Sequence, residues 1–207
     1  RISAQRIDEA MALYRSAIRA DPTLIESYVN LSMLLVQQGK TDEAVEVLQQ
    51  AVDAKPNDPR PHVQLATLSA QQRRFEQALV HMNQAVSLAP YSGPLAAERA
   101  HLLLRSGDWS GAIDAATQVI DRWPDLPRPY LTRGEARIQL QHWEAAANDF
   151  ESALSFDTNQ PGVHYNLAGL YAQLGETTKA VEHYRTVSRL NPDMYEAHVR
   201  LGQLLPQ

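Results

Sequence analysis

Ile25–Asp58 reads IESYVNLSMLLVQQGKTDEAVEVLQQAVDAKPND. Within Tyr28-Val29-Asn30-Leu31-Ser32-Met33-Leu34-Leu35, apolar residues recur at three- and four-residue steps, as one face of a helix requires. Gly39 predicts the end of that helix, because glycine enters the left-handed region at least cost. Thr41 is expected to cap a second helix, with Asp42 and Glu43 in a first turn where the helix dipole favours acids. Ala44, Val45, Val47, Leu48, Ala51 and Val52 supply the second apolar face. Alanine at 44 and 51 lets two helices approach, Leu48 fills the space between them, and Pro56 forbids continuation. The stretch is therefore a helical hairpin. One hairpin cannot bury both its faces, so neighbours must stack on it.

The rest of the chain repeats this stretch at a stride of 34. Prolines stand at Pro22, Pro56, Pro90, Pro124 and Pro192, with Thr158 in the remaining slot and Pro161 just beyond it. Gly39, Gly107 and Gly175 mark the hairpin turns, and Arg73 and Gln141 hold the other two. Alanine recurs at Ala10, Ala44, Ala78, Ala112, Ala146 and Ala180. A second small-residue series runs Ala17, Ala51, Ala85, Val119, Ala153 and Val187. Between the two lies a large residue, Tyr14, Leu48, Met82, Phe150 or Tyr184, reduced to Ala116 in one unit.

Tyr28, Leu31, Ser32, Leu35, Ala44, Leu48, Ala51 and Pro56 make the chain resemble the tetratricopeptide repeat (TPR) family, whose pattern has these residue types at these places. The resemblance covers the whole chain. It implies an all-α fold, a right-handed superhelical solenoid of antiparallel helical hairpins. Complete units are expected at 25–58, 59–92, 93–126, 127–160 and 161–194 in one continuous domain. Residues 1–24 are expected to supply the second helix of a partial unit. Residues 195–207 supply the first helix of another, or a C-terminal cap ended by Pro206. Both ends are read as those of a segment from a longer protein.

Some units depart from the pattern. Arg99 and Arg133 replace the usual leucine at the seventh position. A subset of TPR units carries the combination seen here in Arg133-Gly134 and Asp149-Phe150, so the resemblance implies an ion pair between Arg133 and Asp149, structural in preference to a ligand site. Arg99 has Ala115 in the matching slot, leaving Asp114, a neighbouring unit or solvent as its surroundings. Pro59-Arg60-Pro61 and Pro127-Arg128-Pro129 recur two units apart, from a two-unit duplication or from independent choice of helix-start prolines.

Composition excludes several functions. The chain has 207 residues, 44% hydrophobic and 21% charged, as in soluble folded proteins. No apolar run can cross a membrane, so no membrane insertion is expected. A net charge of −5 argues against nucleic acid as partner. Absence of cysteine excludes disulfides and thiolate metal sites and leaves cytoplasmic and exported locations both open. The histidines have no partner at helical three- or four-residue spacing, so no metal site is expected. No phosphate-cradling glycine loop, nucleophile elbow or isolated acid pair is present, so neither cofactor nor enzyme activity is predicted. Phe75, Trp109 and Trp143 share the seventeenth position and are assigned to core packing. Trp123 lies outside the pattern and is read as covering a helix end.

In the TPR family the first helix of each hairpin lines a concave face, and positions left free by the repeat face a ligand. The expected peptide-binding residues are Asn30, Met33, Arg60, Gln64, His101, Arg105, Arg128, Glu135, Tyr165, Asn166 and Arg200. They form a mixed groove with a basic middle of Arg60, His101, Arg105 and Arg128, suited to a peptide or protein partner. The carboxylate clamp of chaperone-binding members is broken. Asn166 and Arg200 fit it, but Leu131, Glu135 and Glu196 occupy its Lys and Asn slots. An asparagine ladder at the sixth position survives only at Asn30 and Asn166. The expected function is an interaction scaffold. The alternatives are a recruiting arm of a larger enzyme or secretion machine, and self-association through the terminal helices.

Overall fold

The computed structural model describes residues 4–205, and among them the fold is an all-α helical-repeat solenoid. The chain begins with α1 (Ala4–Ala20). In order follow α2 (Ile25–Gln37), α3 (Thr41–Ala54), α4 (Pro59–Gln71), α5 (Phe75–Leu88), α6 (Gly93–Ser106) and α7 (Trp109–Arg122). Next come α8 (Pro127–Gln139), α9 (Trp143–Leu154), α10 (Pro161–Gln173), α11 (Thr177–Leu190) and α12 (Tyr195–Leu204). Two compact units divide the chain, Arg1–Leu102 and Leu103–Gln207, with the boundary inside α6. Pro206 lies outside the described residues.

The hairpin turn is the same at all five slots. Gly39, Gly107 and Gly175 have φ of 77°, 88° and 77°, and Arg73 and Gln141 adopt 59° and 60°. At Gly39 the Lys40 N–H reaches back to the Leu35 carbonyl and the Gly39 N–H to that of Val36, both at 2.9 Å. This is the paired 6→1 and 5→2 closure of a Schellman motif. Arg74 to Ser69, Asp108 to Leu103, His142 to Arg137 and Glu176 to Tyr171 repeat the longer bond. The same turn residue then opens the next helix. The carbonyls of Lys40, Arg74, Asp108, His142 and Glu176 accept from Ala44, Ala78, Ala112, Ala146 and Ala180.

This geometry corrects the expected cap. Thr41 is already the first residue of α3, Lys40 precedes it, and no side chain caps that helix. Asp108 does cap α7, accepting the Gly111 N–H at 2.9 Å. At the far end of the hairpins, the N–H groups of Asp21, Lys55, Ala89, Trp123 and Asn191 bond to Ala17, Ala51, Ala85, Val119 and Val187. Where Thr158 replaces proline, α9 ends at Leu154, and Phe156 lies against the Tyr130 ring at 5.8 Å.

In the first unit, Met11 from α1, Leu31 and Leu35 from α2, Ala44 and Leu48 from α3, and Leu65 and Leu68 from α4 form one core. A second joins Ala66 and Ala70 with Ala78, Met82, Ala85 and Leu102. Val45 departs from the expected apolar face. It is exposed and, with Val80 and His81, borders a shallow cavity of about 320 Å³. In the second unit, Phe150 is fully buried among Ala146, Ala147, Leu167, Leu170 and Tyr171. Ala168, Tyr184, Val187 and Ala197 form a further cluster, with Leu201 and Leu204 of α12 packed on it. Leu205 remains exposed.

Of the residues at the seventeenth position, Trp143 packs against the core, but Trp109 is 38% exposed. The position is the first of each second helix, beside the turn. Trp123 caps the C-terminus of α7, half-buried, with the Arg122 guanidinium 4.6 Å from its ring centroid.

Candidate functional site

In residues 103–207, Tyr165, Gly169 and Gln173 are spaced four apart on α10 and share one helix face. Two adjoining cavities meet over them. One, of about 400 Å³, is closed by Ile138, Trp143, Asn166 and Leu170. The other, of about 430 Å³, is closed by Ala172, Tyr184, Arg200, Gln203 and Leu204. Gly169 leaves the space between: a Cβ there would meet only the Tyr184 hydroxyl, at 3.9 Å. The Tyr165 and Tyr184 rings stand edge to face at 5.7 Å, the arrangement that aromatic quadrupoles favour. Burial pushes the Tyr184 hydroxyl above its ordinary range, Tyr165 adds to this and Arg200 opposes it. Glu135 is half-buried on α8; burial raises its carboxyl and the charge of Arg128 offsets part of the rise.

In residues 1–102, Asn30 of α2 and Gln64 of α4 are half-buried, and Met33 is 50% exposed. Arg60, at the start of α4, is bound to its own helix cap. Its Nε and Nη2 donate to the Asp58 carboxylate at 2.9 and 2.6 Å, and its backbone N–H to the same group at 3.0 Å. Asp58 is the N-cap of α4 and nearly buried, and the Arg60 guanidinium holds its carboxyl below the usual range. The charge of Arg60 is thus engaged in closing a helix start. Leu126 takes the place of Asp58 before α8, so the two Pro-Arg-Pro segments are not equivalent. His101 is half-buried on α6 and Arg105 exposed; the four basic residues divide two and two between the units.

Asp149 is 2% exposed and holds two arginines. Arg133 donates through Nε at 3.1 Å and Nη2 at 2.8 Å, and Arg137 through Nη1 at 2.7 Å. Arg133 Nη1 also reaches Thr117, and Arg137 Nη1 the Ala145 carbonyl, both at 3.1 Å. The pair expected from Arg133 and Asp149 is present, widened by Arg137. Gly134 packs closely beside it: a Cβ there would lie 3.3 Å from the Asp149 Cβ and the Phe150 ring, tighter than ordinary contact. Arg99 has no acid at the matching slot and is half-buried.

Four histidines pair between the two helices of a hairpin, which helical spacing could not reveal. His62 and His81 approach at 3.4 Å between Nδ1 atoms, and His164 and His183 at 2.8 Å. His164 Nε2 donates to the Thr158 carbonyl at 3.0 Å, so in the neutral ring it is Nδ1 that accepts from His183. His198 makes the equivalent bond to the Pro192 carbonyl at 3.0 Å. Burial lowers His62, and burial followed by the partner's charge lowers His81 and His183. Among the described residues no group of three or more His, Asp or Glu is placed to hold a metal ion. No described helix is long and apolar enough to cross a membrane.

A Tetratricopeptide repeat family model matches residues 1–68 and 137–196, and a second model of the same description matches 98–161. The chain belongs to the tetratricopeptide repeat family. Among solved structures, the MamA RS-1 ArsTM double mutant is 20% identical with a TM-score of 0.73, over 81% of this chain and 94% of that one. YrrB, described as a TPR protein with an unusual peptide-binding site, is 15% identical with a TM-score of 0.71, over 93% and 98%. At these identities the likeness is one of fold. Of curated proteins, the Protein CTR9 homolog of Arabidopsis thaliana is 32% identical over 77 residues, 37% of this chain and 7% of that protein. Superkiller complex protein 3 of Mus musculus is 28% identical over 102 residues, 45% of this chain and 6% of that protein. The TPR chain thus spans less than a tenth of either.

Of the expected binding residues, Tyr165, Asn166 and Arg200 come together around Gly169. Sequence reasoning passed over Gly169 itself. Its signal was a glycine within a helix, at the slot where Met33, His101 and Glu135 carry side chains.

Proposed function

We propose that this chain is a protein-interaction scaffold that takes a segment of a partner protein against the first helices of its hairpins. One observation carries the reading. The repeat buries Leu31, Leu35, Leu65 and Leu167, yet leaves Met33, Arg105, Gln173 and Arg200 on the outside of the same class of helix. Family membership supports the coarser statement that the chain binds protein. The short share of the curated relatives that it matches favours a second reading, in which the array serves as a recruiting arm within a larger polypeptide.

Two sets of substitutions test the surface. Arg105→Glu, Tyr165→Ala and Arg200→Glu together should abolish capture of the native partner while the far-UV helix signal is retained. Glu46→Lys, Gln118→Lys and Glu182→Lys, on exposed positions of second helices, should leave capture intact. The reverse pattern would place the partner on the other helices and overturn the reading.

A further inference from the structure

We infer that His62 of α4 and His81 of α5 form a two-histidine site for a divalent transition-metal ion of the zinc and copper class. The site lies within one hairpin of the first unit and uses none of the residues assigned to the partner.

The spacing of the two rings carries the inference. Their Nδ1 atoms face each other at 3.4 Å, with ring centroids 5.7 Å apart and planes inclined by 33°. That is long for a hydrogen bond. Two nitrogens each bound at about 2.0–2.1 Å to a tetrahedral ion stand about 3.3–3.4 Å from each other. The pair at the same two slots of 161–194 differs. His164 and His183 meet at 2.8 Å, and the Thr158 carbonyl fixes the His164 proton on Nε2, so an N–H···N bond closes their contact. Among the described residues His62 and His81 make no hydrogen bond except with each other. Both are therefore free to carry their protons on Nε2 and to offer two bare Nδ1 atoms. Burial lowers both rings below the ordinary 6.5, and the charge of His62 adds to this at His81, so neither gives up a proton to bind at neutral pH.

The hairpin holds the pair in place. Its turn is closed by the Arg74 N–H on the Ser69 carbonyl at 2.8 Å, and the His62 ring is buried. His81 is half-buried and borders the cavity of about 320 Å³ together with Ser69, Gln72 and Gln77. An ion enters from that side, and a small turn of the His81 ring aims both lone pairs at it. Water and the amide oxygen of Gln77, four residues before His81 on α5, are at hand for the remaining positions. Arg74 borders the same cavity and its charge opposes the ion, which sets the expected affinity in the micromolar range. Two imidazoles select zinc, nickel or copper over calcium and magnesium, which take oxygen ligands.

Calorimetric titration of the full chain with zinc chloride, at neutral pH in a buffer that does not bind metal, tests the site. One equivalent should bind. His62→Phe, which places an aromatic ring where Tyr28 stands in α2, and His81→Leu should each weaken zinc by roughly tenfold or more with helix content retained. His164→Phe with His183→Leu should leave binding unchanged. Pulsed EPR of the chain with one equivalent of copper(II) should count two imidazoles on the ion. Absence of saturable binding, zinc held as tightly by His62→Phe and His81→Leu as by the parent (an adventitious ion only), or a single imidazole on copper would overturn the inference.

Discussion

Replacing Asp149 with alanine probes the most buried charge cluster in the second unit. The carboxylate is 2% exposed and receives Arg133 and Arg137 at 2.8 and 2.7 Å. Its removal leaves two guanidinium groups, with side chains 15% and 23% exposed, facing an empty site. Breaking a buried pair from one side costs about 3–5 kcal/mol, because the surviving charge is uncompensated. Both arginines keep some contact with water, and Arg137 keeps the Ala145 carbonyl, which points to the lower end, about 3 kcal/mol. Asp149→Asn keeps the shape and one acceptor and should cost about 2 kcal/mol. Arg133→Leu with Asp149→Leu restores the leucine usual at the seventh position and should cost less than Asp149→Ala alone, since only Arg137 is then left without its acid. Urea unfolding followed by circular dichroism reads the series. With a slope on the order of 2 kcal/mol per molar, Asp149→Ala should lower the midpoint by about 1.5 M. A loss below about 1 kcal/mol would refute the reasoning.

Arg73→Gly and Gln141→Gly should each stabilise the chain by about 1 kcal/mol, because both residues hold a left-handed backbone that glycine adopts freely. Denaturation midpoints check this, and a loss in both would contradict the turn assignment. The histidine pairs should make stability fall with acid. Burial chiefly, and the partner ring, lower His81 and His183 below the ordinary value of 6.5, while Glu151 and Glu182 oppose this at His183 and Lys179 adds to it. A histidine with a lowered folded pKa takes up its proton on unfolding, so its contribution is complete above 6.5 and is lost as pH falls below that value and through the folded pKa. Thermal melts at about pH 7.5 and about pH 5 should separate more for the parent than for His81→Leu/His183→Leu, and equal separations would exclude the pairs as the cause.

The fold was legible because the repeat fixes residues for backbone reasons that act locally. A glycine at a left-handed turn, an alanine at a close helix approach and a proline after a helix each report their own conformation. Arg73 and Gln141 carry no such signature; only their place in the stride shows that they turn like glycine. The ion pair of Arg133 with Asp149 was legible as a departure at two coupled slots, and Arg137 was not, since its slot is free. The histidine pairs were hidden for a different reason. His62 and His164 share the fourth position of their units and His81 and His183 the twenty-third, but their contact depends on how two helices cross, 19 residues apart. The bond of Arg60 to Asp58 was hidden because a surface arginine and the partner of a helix cap look alike until Asp58 is seen to be buried beneath it. At the candidate site, the residues Tyr165, Asn166 and Arg200 were readable from their slots. The cavity was not, because it is made by what Gly169 lacks.

The central claim is that a partner lies along the first helices. Photo-crosslinking tests it most directly, with the reactive group placed singly at Met33, Gln173 and Gln203 on first helices, and at Glu46, Gln118 and Glu182 on second helices. In native extract the account predicts one partner protein, joined from the first three positions and absent from the last three. Adducts confined to Glu46, Gln118 and Glu182 would contradict it.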